Sequence, residues 1–137
     1  MHDDSQLVER RIRQEWGERV WPAVYSAVVP LEVTAWDTPG EPVSYREAMQ
    51  GLASDGRPFA VGGQWGRPWG TTWFRLAGNV PVEWATPEFA DRLEVVVDLG
   101  FHPDAAGFQS EGLVWLPGAD GNGEPVQGVH PRRNGVP

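Results

Sequence analysis

Eight tryptophans in a 137-residue chain are the residues most able to do chemistry here. An indole face either supplies a large area to a core or stacks on a flat ligand such as a sugar ring. Three of them fall in Gln64–Ala77, QWGRPWGTTWFRLA, where Gly66, Pro68 and Gly70 forbid a helix and display Trp65 and Trp69 from a loop. Trp36 and Trp84 stand at the ends of short apolar runs. Trp65, Trp69, Trp36 and Trp84 are therefore the candidate contacts for carbohydrate or for a partner surface. Trp73 and Trp115 lie inside apolar runs and read as core, together with Phe74 and Val96.

Other chemistry is weakly supported. His2, His102 and His130 stand far apart, without a second ligand at i+2 or i+4, so no metal site is expected. Asp120, Asn122 and Glu124 alternate as at the start of a calcium loop, but the bidentate Glu is missing and Gly121 and Gly123 mark a hairpin turn. Ser110 has Glu111 beside it, no nearby histidine, and no strand-turn-helix context for a nucleophile. Asp98 paired with Asp104 or Glu111 could do glycosidase chemistry only at a separation that sequence does not give. No catalytic residue is assigned.

The elements that must position the tryptophans are short. Seventeen glycines and thirteen prolines without a period favour strands and turns. The length suits a single core. A net charge of −8, with all eleven basic residues arginine, argues against nucleic-acid binding. The chain has no cysteine and no apolar run of signal or membrane-spanning length, so a cytoplasmic location away from any membrane is expected.

In chain order, Asp3, Asp4 and Ser5 offer caps for a helix whose stripe is Leu7, Val8, Ile12 and Trp16, running to about Glu18 and closed off by Pro22. Leu31–Trp36 alternates as a strand expected at or near a sheet edge and ended by Thr38, Pro39 and Gly40. Ser44 and Glu47 have capping-box spacing for a helix over Tyr45–Leu52. Thr71–Leu76 alternates again, and Leu93–Leu99 reads as a central strand covered on both faces. A long loop spans Gly100–Gly112. Gly112–Leu116 and Glu124–Val129 flank a dense turn as a hairpin. This pattern predicts a mainly β fold, an antiparallel β-sandwich of jelly-roll or galactose-binding-like form, with residues 1–20 as a leading amphipathic helix and 21–137 as the sandwich.

Four ordered segments carry a resemblance: GRPWGTTWFRL at Gly66–Leu76, DLGF at Asp98–Phe101, GFQSEGLVW at Gly107–Trp115 and GEPVQGVHPR at Gly123–Arg132. With PAVY, PLEV and PGEPVS upstream, they resemble the N-terminal region of family 38 glycoside hydrolases, in the cytosolic or vacuolar branch of these α-mannosidases. The resemblance implies a retaining enzyme with an aspartate nucleophile and a zinc ion held by aspartates and histidines, all in a catalytic domain downstream. No catalytic or metal residue carries over to this chain, so no cofactor is expected in it. The partners implied are that downstream domain, further copies in a homo-oligomer and mannose-containing glycans. The family's β-domain extends past the position matching Pro137, so its last strands are expected to be missing here. A free-standing carbohydrate-binding or protein-interaction module is the alternative.

Overall fold

The computed structural model describes residues 4–100, 110–130 and 134–136, without the side chain of Trp21. His2, Asp3, His102, Asp104 and most of the Gly100–Gly112 loop lie outside the described residues. The chain divides into two compact units, residues 1–30 and 31–137.

The first unit is helical. Helix α1 (Ser5–Glu15) follows Asp4, whose carbonyl accepts from Val8 N at 3.0 Å but whose side chain makes no capping bond. Winding continues past the expected stop. A π-helical turn at Trp16–Val20, containing Gly17, leads into α2 (Trp21–Val24), and Pro22 sits in the first turn of α2, where a missing N–H is harmless. The ion pairs Glu9–Arg13 and Glu15–Arg19, at 3.7 and 3.1 Å, are solvent-exposed i,i+4 contacts of small value. Leu7, Val8, Ile12 and Trp16 are all exposed.

The second unit is mainly β and antiparallel. Strand β1 (Glu32–Asp37) is the centre of a three-stranded sheet, between β2 (Arg57–Pro58) and β3 (Thr72–Ala77). β1 thus lies one strand in from an edge formed by the short strand β2, which the turn-rich sequence hides. Helix α3 (Tyr45–Asp55) starts at the predicted capping box. The Ser44 hydroxyl accepts from Glu47 N at 3.4 Å, and Ser44 N donates to Glu47 Oε2 at 3.0 Å. α3 lies on the face that carries Thr34, Trp36 and Trp73, with Ala48, Gly51 and Leu52 buried beneath it.

Alternation puts Trp73 and Phe74 on opposite faces, so the single core expected for them is two aromatic groups. On the α3 side Tyr45, Trp73 and Trp115 meet, with ring centroids 5.6 to 6.2 Å apart. On the other, Phe74 is held edge-on by Phe59 at 5.2 Å and Trp65 at 5.3 Å. Trp73, Phe74 and Trp115 are each half-buried, and the Trp73 indole nitrogen is buried without a hydrogen-bond partner.

Strands β5 (Gly112–Pro117) and β6 (Gly123–Val129) form the expected hairpin. A bulge falls where Trp115 faces Pro125, which has no N–H to give the ladder. The Leu93–Leu99 reading is corrected. Only β4 (Val95–Val96) forms there, paired with β7 (Gly135–Val136), and both valines are exposed, at 37% and 40%. An apolar run marks full burial only if other elements cover both faces, and among the described residues Leu93, Val97 and Leu99 are half-buried while Val95 and Val96 stay exposed. No barrel closes.

Gly51 is pressed against Trp36: a Cβ there would lie 2.5 Å from the ring Cζ2. Gly→Ala normally stabilises a helix interior by up to about 1 kcal/mol, yet here overpacking reverses the sign. Gly51→Ala should lower the unfolding free energy by about 1–3 kcal/mol in a urea titration; an increase would show that the helix is not seated on Trp36.

Candidate functional site

The β1–β3 ladder ends in a polar groove. Register places Asp37 opposite Thr72. The Thr72 hydroxyl donates to Asp37 Oδ1 at 2.5 Å, and Arg57 Nη2 donates to Oδ2 at 3.0 Å. Thr38, only 3% exposed, closes the floor by donating through N and Oγ1 to the Thr71 carbonyl at 2.9 and 3.0 Å. Asp37–Pro39 form one wall, and Gly66, Arg67 and Gly70–Thr72 the other, around a volume of about 270 Å³. Arg67 Nη2 bridges the walls to the Pro39 carbonyl at 3.3 Å. The bonds from Thr72 and then Arg57 hold the Asp37 carboxyl below its ordinary value of 3.8, with Arg67 adding a weaker attraction.

One wall of the groove is a tight turn. Gly70 N donates to the Arg67 carbonyl at 2.8 Å across Pro68 and Trp69, and Trp69 has φ +61°. Proline at the second position and a positive φ at the third make this a type II turn. Gly70 is required because a Cβ there would lie 2.5 Å from Arg67 Cγ. Trp69 itself is fully exposed and makes no ring contact among the described residues.

The four candidate tryptophans have different surroundings. Trp69 stands in water on the groove's turn. Trp65 is half-buried against Phe74, Trp36 is half-buried under Gly51, and Trp84 is half-buried in a turn where its N donates to the Pro81 carbonyl at 2.9 Å. Asp37, Arg57, Arg67 and Thr72 were not singled out from sequence. The available signal was Asp37 directly after one alternating run, Leu31–Trp36, and Thr72 near the start of another, Thr71–Leu76, but register is set by pairing.

The remaining polar motifs are structural. Asp120 Oδ1 and Oδ2 accept from Asn122 N and Nδ2 at 3.0 and 2.7 Å, and Gly121 has φ +77°, as a turn requires. Those bonds hold the Asp120 carboxyl below its usual range, as the Ser44 hydroxyl does for Glu47. Ser110 Oγ donates to the Leu99 carbonyl at 3.4 Å. His130 is half-buried just after β6. Among the described residues no three of His, Cys, Asp and Glu are grouped to hold a metal ion, and no helix is long and apolar enough to cross a membrane.

Residues 29–136 match the family described as "Alpha-mannosidase, jelly roll domain" (Ams1-like, first domain). The chain is also similar to human alpha-mannosidase 2C1, 34% identical over 106 residues. That alignment covers 77% of the chain and 8% of the human protein's length.

The site predicts an acid limb of stability. The unfolded carboxylate of residue 37 titrates at its ordinary 3.8 and the folded one below it, so the contribution is present above that value and is lost as pH falls through the folded pKa. The Asp37–Arg57 pair is about half exposed, which limits it to under about 1 kcal/mol. Urea midpoints measured from pH 6 down to pH 2 should fall less steeply for Asp37→Asn than for the parent chain; superimposable curves would contradict the bonding described.

Proposed function

The chain belongs to the α-mannosidase jelly roll domain family, and on that premise we propose that it is the non-catalytic N-terminal β-domain of a zinc-dependent, retaining α-mannosidase of glycoside hydrolase family 38. The observation that carries this reading is the match over residues 29–136, nearly the whole of the β unit. The relative's name assigns mannoside hydrolysis to a protein of which this chain spans 8%. Hydrolysis with retention needs two carboxyl groups roughly 5 Å apart on either side of the glycosidic bond. Asp37 has its two oxygens bonded by Thr72 and Arg57, and no second carboxyl group lines its groove among the described residues. The described residues do not fit a zinc site either. We accordingly assign zinc, nucleophile and acid/base to the downstream domain.

The domain's role in that enzyme is to support assembly or to shape the rim of the active site. The exposed stripe Leu7, Val8, Ile12 and Trp16 supports a docking role against the catalytic domain or a neighbouring subunit. We place the parent enzyme in the cytoplasm on the resemblance to the cytosolic or vacuolar branch of the family alone.

The purified 137-residue chain should release no product from an aryl α-mannoside, with or without added zinc. A polypeptide extended through the downstream domain should turn the same substrate over and lose that activity to a chelator. Turnover by the short chain would overturn the non-catalytic assignment, and inactivity of the zinc-loaded extended protein would overturn the parent's.

A further inference from the structure

Trp69 occupies a position that its residue type does not favour. The third residue of a type II turn has positive φ and is ordinarily glycine or asparagine, because a side chain there crowds the backbone. Trp69 adopts φ +61° all the same, while the neighbouring Gly66 and Gly62 take positive φ without strain. The side chain gets nothing from the fold in return, being fully exposed and free of ring contacts among the described residues. Strain without packing, next to a concave site, indicates a residue kept for something outside the chain.

The groove beside it defines the kind of ligand. We infer that Trp69, Asp37 and Arg67 form a binding site for a neutral hexopyranoside, with the indole face stacked on the sugar ring and the groove holding its hydroxyls. Asp37 offers acceptor sites beyond those used by Thr72 and Arg57, and Arg67 keeps N–H donors beyond the one aimed at Pro39. Adjacent hydroxyls on a sugar need such a pairing of acceptor and donor, and charge-assisted bonds to them are the stronger kind. The charged lining residues are one carboxylate and one guanidinium, Asp37 and Arg67, and the chain as a whole is acidic, which disfavours phosphates and nucleic acids. A groove of about 270 Å³ is sized for a small molecule and not for the roughly 800 Å² per side that a protein partner covers. The inference goes beyond the mannosidase reading, because such a site would exist whether or not the parent enzyme cleaves mannosides.

The test uses the 137-residue chain, ¹⁵N-labelled, titrated with methyl α-D-mannopyranoside and separately with cellobiose. Trp69→Gly, which suits the turn, and Trp69→Asn, which tolerates it, identify the Trp69 indole signal and remove the stacking face. We expect the Trp69 indole and the Arg67 and Gly70 amides to shift with at least one sugar, with a Kd of roughly 1 mM. Binding should weaken about tenfold or more in both variants, as loss of one aromatic stacking partner implies, and should also weaken in Asp37→Asn. The melting temperature of Trp69→Gly should not fall. Shifts with cellobiose alone would support the site while speaking against a mannoside-directed parent. The inference is overturned if neither sugar moves these signals, if the shifts persist in Trp69→Gly, or if that variant melts lower, which would make Trp69 a packing residue. Signals that move with protein concentration instead of sugar would assign the turn to a second copy of the chain, and would equally overturn it.

Discussion

The contact on which the β unit depends is the meeting of Tyr45, Trp73 and Trp115. Among the described residues its strands form three separate sheets, and no ladder of backbone hydrogen bonds joins one to another. Cohesion between the β1–β3 sheet and the β5–β6 hairpin therefore rests on side chains. Tyr45 comes from the first turn of α3, Trp73 from the start of β3 and Trp115 from the bulge in β5, so one aromatic group links a helix and two sheets. Gly123 opens β6 directly against the Tyr45 ring, where a Cβ would lie 2.6 Å from Cε2. Arg46 adds a bond to Asn122 Oδ1 at 3.0 Å. Successive residues of α3 thus hold both the rings and the turn of the hairpin.

This arrangement explains which features were legible in the sequence. The α3 capping box, the β5–β6 hairpin and the Asp120–Asn122 turn are each set by residues a few positions apart, and all three stand where the spacing put them. The central place of β1 was not legible, because it depends on Arg57–Pro58 returning across twenty residues to pair with Thr34 and Ala35. The split of Trp73 from Phe74 was implicit in the period of the strand. What the pattern does not say is that both faces are covered, one by α3 and the other by Phe59 and Trp65. Val95 and Val96 mislead for the opposite reason: β-branched residues favour a strand, but coverage comes from elsewhere in a chain.

The candidate site follows the same division. Loop position and flanking glycines singled out Trp69, but they singled out Trp65 as well, and only packing tells the two apart. The polar half of the site depends on the register that brings Asp37 to Thr72 and Arg67 to Pro39, a fact of pairing across some thirty residues. The family resemblance carried by the Gly66–Leu76 segment agrees with the match over residues 29–136. Family membership by itself does not separate the tryptophans that build the scaffold from the one left facing solvent.

The claim that aromatic side chains couple the sheets is open to a direct measurement. A double-mutant cycle on Tyr45→Leu and Trp115→Leu, followed by urea unfolding, isolates the interaction between α3 and the hairpin from the loss of apolar area at each position. Rings 5.6 Å apart and tilted by 31° should show a coupling of about 0.5–1.5 kcal/mol, with both single variants unfolding in one transition. Effects that add within about 0.3 kcal/mol would contradict the account and place the cohesion of the fold elsewhere.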